Sequence, residues 1–192
     1  MKSMHVGRRS TGFTIVEVMV ALVIISVGLL GIAKMQALAL SSTGVSRLRS
    51  LAAIEAASLA SAMHANRAYW SKATLVQPIA VTGATATTSD VNLRAALTTV
   101  NAAGGDYCIT GAGAPCAPVT MAGADLQAWA TELNTMLPNA TAQITCPSGF
   151  TPLSCTILIN WTENAAAMNT QSANAPATGA FQIPTYTLYV EP

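Results

Sequence analysis

Charge is scarce in this 192-residue chain: 9% of its residues are Asp, Glu, Lys or Arg, against 52% hydrophobic. That is low for a soluble protein and fits an exported domain whose surface is rich in Ala and Thr. No basic residue follows Arg94, whereas Asp106, Asp125, Glu132, Glu163 and Glu191 do, so residues 95–192 carry a net −5 by count. An acidic half is a poor electrostatic partner for nucleic acid, and no nucleic-acid binding is expected. Histidine is limited to His5 and His64, which leaves no Ser-His-Asp set to nominate. There is no Gly-rich phosphate loop with a Lys, no H-E-x-x-H and no EF-hand loop. The expectation is a non-enzyme with no catalytic residue, no cofactor and no metal. Proline is missing before Pro78, so nothing of that kind breaks a helix over the early chain.

What is present is one long apolar stretch. From Val18 to Ala33 there is no charge, and apart from Glu17 the apolar run begins at Phe13. As a helix it reaches ~30 Å, about the hydrocarbon thickness of a bilayer. Lys2, Arg8 and Arg9 precede it and no acid does, a bias that holds the N-terminus in the cytoplasm and sends the remainder across. An ordinary secretory signal would end its apolar region at a small-x-small cleavage site. Here the Gly that divides basic from apolar, Gly12, lies before the run. Glu17 is a second anomaly, because a charge inside a membrane helix costs a few kcal/mol, on the order of 3.

Gly12-Phe13-Thr14-Ile15-Val16-Glu17 ahead of a long apolar helix resembles the class III signal of type IV pilins and pseudopilins. The resemblance implies a membrane-embedded aspartyl prepilin peptidase that cuts after Gly12, leaving 192 − 12 = 180 residues, and methylates the new amine of Phe13. It also implies that Glu17 pairs with the Phe13 amine of a neighbouring subunit during assembly. The physics agrees, since a lone carboxylate in hydrocarbon is costly and one facing an ammonium is compensated. The run Ser26-Val27-Gly28-Leu29-Leu30-Gly31-Ile32-Ala33-Lys34-Met35-Gln36 resembles the PilV-type minor pilins. The same Gly28 and Gly31 weaken a helix by up to ~1 kcal/mol each, and close helix packing is a second use for their spacing.

The function so implied is that of a minor pilin, present at low copy in a type IV pilus and supporting its assembly, and through it motility or adhesion. Implied partners are the prepilin peptidase, other major and minor pilins through the N-terminal helix, and the inner membrane. The protein would be single-pass there, with a periplasmic head, and later part of the pilus at the cell surface. A minor pseudopilin of a type II secretion system, a DNA-uptake minor pilin and a non-assembling bitopic anchor are the rival readings.

The expected fold is α+β and pilin-like: a long N-terminal helix, half of it transmembrane, with a small antiparallel sheet and one or two short helices on its C-terminal half. Residues 1–12 read as a cleaved basic leader, 13–40 as the membrane and assembly helix, 41–70 as its amphipathic continuation and 71–192 as a disulfide-bonded head. Val45, Leu48, Leu51, Ala52, Leu59 and Met63 recur near helical spacing, with Arg47, Arg49, Glu55 and Arg67 at the polar positions. Residues 13–67 as one helix would span ~80 Å; Ser41-Ser42-Thr43-Gly44 is where a break would fall. Tyr69, Trp70 and Lys72 mark its exit.

Residues 73–89 read as a surface loop. A short helix follows over residues 90–100, with Ser89 as cap, and Ala102-Ala103-Gly104-Gly105 ends it. A better-specified helix covers about 123–136, where Leu126, Trp129, Ala130, Leu133 and Leu137 share one face; Asp125 would sit in its first turn. Strands follow over 142–146, 155–162 and 181–190, the first leading into a Pro147-Ser148-Gly149 turn and the last two joined by a polar loop over 163–180. The four cysteines, Cys108, Cys116, Cys146 and Cys155, lack zinc-site or redox-motif spacing. In an oxidising compartment they favour two disulfides, most simply Cys108–Cys116 and Cys146–Cys155, although three connectivities are open. Each local bridge would contribute about 2–3 kcal/mol.

Overall fold

The computed structural model describes residues 12–72, 78–102, 108, 116–147, 153–163 and 184–192. In chain order the elements are α1 (Ile15–Ala65), α2 (Arg67–Trp70), β1 (Ile79–Thr82), β2 (Thr85–Thr88), α3 (Val91–Ala102), α4 (Pro118–Met136), β3 (Thr141–Thr145), β4 (Cys155–Asn160) and β5 (Thr185–Val190). The leader up to residue 11, the Ala103-Gly104-Gly105 helix end, Asp106, the Ser148-Gly149 turn and most of the 163–180 loop lie outside the described residues. The chain divides into two compact units, one ending at Ser41 and one beginning at Ser42. The whole is α+β, with a long apolar N-terminal helix, short helices and a small antiparallel sheet.

In the first unit the apolar side chains of α1 are exposed all round, Ile15, Met19, Leu22, Leu29 and Leu30 among them. Its most apolar window has a mean hydropathy of 2.7 and none of it is buried, which makes α1 long and apolar enough to cross a membrane. The Ser26 hydroxyl donates to the carbonyl of Leu22 at 2.7 Å, so this polar group needs no outside partner. A Cβ added at Gly28 or Gly31 would meet nothing within 4 Å; neither glycine is demanded by packing within the chain. Helical geometry continues through Ser41-Ser42-Thr43-Gly44.

The second unit begins on the same helix, where the pattern narrows to one buried stripe: Ala52, Glu55, Ala56, Leu59 and Met63. Four strand pairings, all antiparallel, build a sheet of order β2-β1-β3-β4-β5. Alternation sends Ile79 and Val81 of β1, Ala142 and Ile144 of β3, and Ile157 and Ile159 of β4 to the buried face. They join one core with Ala52, Ala56, Leu59 and Met63 of α1 and Leu126, Trp129, Ala130 and Leu133 of α4. Cys146, just past β3, is bonded to Cys155, the first residue of β4, and Cys108 to Cys116. Both sulfurs of the first bridge belong to fully buried residues.

Three local readings change. The segment expected to be a loop over 73–89 contains the β1–β2 hairpin, turned at Gly83-Ala84, with Gly83 at φ 57°, a left-handed conformation that glycine adopts freely. The strands are four residues each and β2 is Ala and Thr alone, so the hairpin carries little signal of its own; pairing of β1 with β3 supplies the context that propensity does not. Asp90, not Ser89, caps α3: its Oδ1 accepts from the amides of Asn92 and Leu93 at 2.8 and 2.9 Å. And α4 starts at Pro118, where the fixed φ of proline suits the first helical position. Asp125 therefore sits inside the helix and not in its first turn.

Gly123, once the expected start of that helix, is instead its contact point with α3. A Cβ there would lie 3.2 Å from Ala96 Cβ and 3.3 Å from both the Ala96 carbonyl carbon and the Leu97 nitrogen. Backbone atoms cannot swing aside as a side-chain tip can. Gly123→Leu is therefore expected to destabilise the head by about 1–3 kcal/mol despite leucine's better helix propensity. Urea unfolding followed by the tryptophan fluorescence checks it; an unchanged midpoint would show that the helices do not cross this closely.

Candidate functional site

The residues singled out in the sequence converge on the start of α1. Gly12, Phe13 and Thr14 precede the helix and are not helical; the Phe13 ring is exposed. Thr14 is the residue at which the helix begins. Its carbonyl accepts from the amides of Glu17 at 3.1 Å and Val18 at 3.3 Å, and its hydroxyl oxygen accepts from the Glu17 amide at 3.3 Å. A threonine three positions before a glutamate is the first half of a capping box. Its signal was present in the sequence, yet the apolar run hid it.

Glu17 lies in the first turn of α1 and is exposed. The helix dipole favours a carboxylate there, and by the same token disfavours an ammonium just before the first turn. An amine freed at Phe13 would thus gain from a carboxylate brought close to it. Gly12, Phe13 and Glu17 are near one another along the chain, while the four cysteines belong to the other compact unit. Among the described residues, no group of three or more His, Cys, Asp or Glu gathers in a way that could hold a metal ion.

The second unit holds polar contacts that sequence reasoning missed. Glu55 was expected at a polar position of α1 and is buried, 4% exposed. The Trp129 indole N–H of α4 donates to the Glu55 backbone carbonyl at 2.9 Å. Burial, and after it the charge of Glu132, holds the Glu55 carboxyl above its ordinary value. Burial also raises Asp125, and burial followed by the charge of Asp90 raises the Tyr69 phenol.

Glu163, one of the acids counted in the C-terminal half, is largely covered. It accepts from the Arg49 guanidinium at 3.3 and 3.4 Å and from the Trp161 indole at 3.1 Å. Arg49 remains 64% exposed, so this ion pair is worth well under about 1 kcal/mol. Asn66, after α1, is buried and donates from Nδ2 to the Pro118 carbonyl at 2.7 Å. None of these contacts could be read from spacing, because each partner is more than 50 residues away except Trp161.

Residues 7–33 match the model of the prokaryotic N-terminal methylation motif. No curated protein and no solved structure matches the chain. The matched stretch contains Gly12, Phe13 and Glu17 and the start of α1. Together with the exposed apolar helix it supports a membrane-anchored, type IV pilin-like protein processed by a prepilin peptidase.

Loss of the cap should be visible where it acts. Thr14→Ala is expected to cost about 1 kcal/mol at the helix start, read as faster amide exchange at Glu17 for the protein in detergent micelles. Thr14→Ser should restore protection. Equal exchange in all three proteins would remove the cap from the description of this site.

Proposed function

We propose that the chain is a minor pilin of the PilV type. It enters a type IV pilus at low copy after cleavage between Gly12 and Phe13 and methylation of the Phe13 amine, and it supports pilus assembly. The observation that carries the reading is the conjunction at one helix start: a non-helical Gly12-Phe13-Thr14 lead-in, a capped first turn holding Glu17, and an exposed apolar helix behind it. Residues 1–12 are then the leader, 13–40 the membrane and assembly helix, and 41–192 the stalk and periplasmic head, whose disulfides suit an oxidising compartment. The role is structural, not enzymatic. The partners are the peptidase and other pilins, engaged through α1, and no nucleic acid.

The physical logic is register. Apolar helices slide past one another at little cost, whereas an amine and a carboxylate left apart in hydrocarbon are each penalised. A Phe13 amine facing a neighbour's Glu17 fixes one stagger.

The test combines mass and assembly. Intact mass of the protein from membranes of its native host should lack Met1–Gly12, carry one added methyl and be four hydrogens lighter for the two disulfides. Glu17→Ala should leave the protein in the membrane and remove it from sheared filaments, with recovery falling at least about tenfold, the factor that 1.4 kcal/mol sets. Normal recovery of that variant would overturn the assembly role. A full-length, unmethylated wild-type mass would overturn the processing and leave a bitopic anchor. Loss of exoprotein release, with motility intact, on deleting the gene would favour a secretion pseudopilus instead.

A further inference from the structure

We propose that Glu55 is a proton-operated latch in the head, closed on α4 when its carboxyl is neutral and loosened when it ionises. Glu55 sits on the buried stripe of α1 and is 4% exposed, and its Oε2 has no hydrogen-bond partner. Its own backbone carbonyl receives the buried Trp129 indole bond that ties α4 to α1. The ionisable group and the fastening contact between the two helices therefore belong to one residue.

Among the described residues, no cation is paired with this carboxyl. On α4, Glu132 lies three residues past Trp129 and adds like charge, and Asp125, four residues before it, is a second partly buried acid. On α1, no acid or base other than Glu55 occurs between Arg49 and His64; Arg49 is held by Glu163, and His64 is exposed. The five strands carry no Asp, Glu, Lys, Arg or His; Tyr186 and Tyr189 of β5 are their titratable side chains. The Arg94 of α3 is exposed, and α2 contributes an exposed Arg67 and a buried Tyr69.

A carboxylic acid fits this site better than a carboxylate. Protonation removes the charge that burial penalises, and it ends the repulsion with Glu132. Both effects hold the Glu55 carboxyl above its ordinary value. The sign follows: the closed seam is fully favoured below the ordinary carboxylate value and loses that support as pH rises through the raised one. Acid conditions tighten the packing of α4 on α1, and alkaline conditions relax it. The latch belongs to the second unit alone and needs neither processing nor assembly.

The experiment is hydrogen exchange on the full chain in detergent micelles over a series from about pH 5 to about pH 8, corrected for intrinsic rates, all of it above the ordinary carboxylate value. Amides of α1 around Ala52–Leu59 and of α4 around Leu126–Leu133 should open several-fold more at the higher pH. Glu55→Gln should abolish that difference, and Glu132→Gln, a change at an exposed residue, should shrink it. Equal corrected exchange in the wild type, or an undiminished pH dependence in Glu55→Gln, overturns the latch. If Glu55→Gln does not fold, the carboxyl carbon shift of Glu55 in the wild type decides: titration in the ordinary carboxylate range refutes the proposal, and titration above it supports it.

Discussion

A helix that is apolar on every side has to satisfy its own polar groups, and the rest of this molecule depends on how α1 does so. In hydrocarbon no water reaches a free N–H or hydroxyl, and each one left unpaired costs several kcal/mol, on the order of 2–7. The Ser26 hydroxyl turns back to the Leu22 carbonyl, and the Thr14 hydroxyl takes up the Glu17 amide at the exposed start. Among the side chains between Phe13 and Ala33, what those devices leave over is the carboxylate of Glu17, the single charge there. A charge that the helix cannot neutralise by itself calls for an outside partner.

From Ser42 onward the same helix meets a different requirement, and its composition changes to suit. Ala52, Ala56, Leu59 and Met63 are buried and join the core of the second unit. The cost of that burial is that polar groups are trapped with their surroundings. Trp129 and Asn66 reach main-chain carbonyls, Glu55 and Asn66 being buried for it. The Tyr69 hydroxyl, the Trp70 indole and Gln127 Oε1 are buried without a hydrogen-bond partner. Each such unpaired group subtracts from the stability of the domain, and the two disulfides offset part of that loss by restricting the unfolded chain.

The legible parts of the fold are those where one strong pattern acts locally. The long apolar helix, the face of α4 carrying Leu126, Trp129, Ala130 and Leu133, and the alternation of Cys155, Ile157 and Ile159 all appear as periodicity, and the structure contains each. The β1–β2 hairpin escaped because its strands are only four residues each, because β2 is Ala and Thr alone, and because the other partner of β1, β3, lies more than 50 residues away. The true start of α4 escaped because a glycine was read as a boundary, when its missing Cβ serves the crossing with α3. Glu55 and Glu163 escaped for a third reason. A charged residue at a polar-looking position is assigned to solvent by default, and only the tertiary structure reveals that α4 covers one and that Arg49 and Trp161 take up the other.

The candidate site divides the same way. Gly12, Phe13 and Glu17 are nominated by their order along the chain, within the stretch that matches the methylation motif, and order survives without a fold. The cap at Thr14 adds something order does not show: the helix begins two residues after Phe13, so the Gly12–Phe13 bond lies outside the helix, at exposed residues. A peptide bond inside a helix has its amide and carbonyl already engaged, and a protease must first unwind it. On the proposed reading, one threonine thus serves two steps, keeping the scissile bond out of the helix before cleavage and fixing the turn that carries Glu17 afterwards. A charge pair can set the stagger of sliding apolar helices only if its carboxylate is held in place, and the capped turn holds the backbone of Glu17.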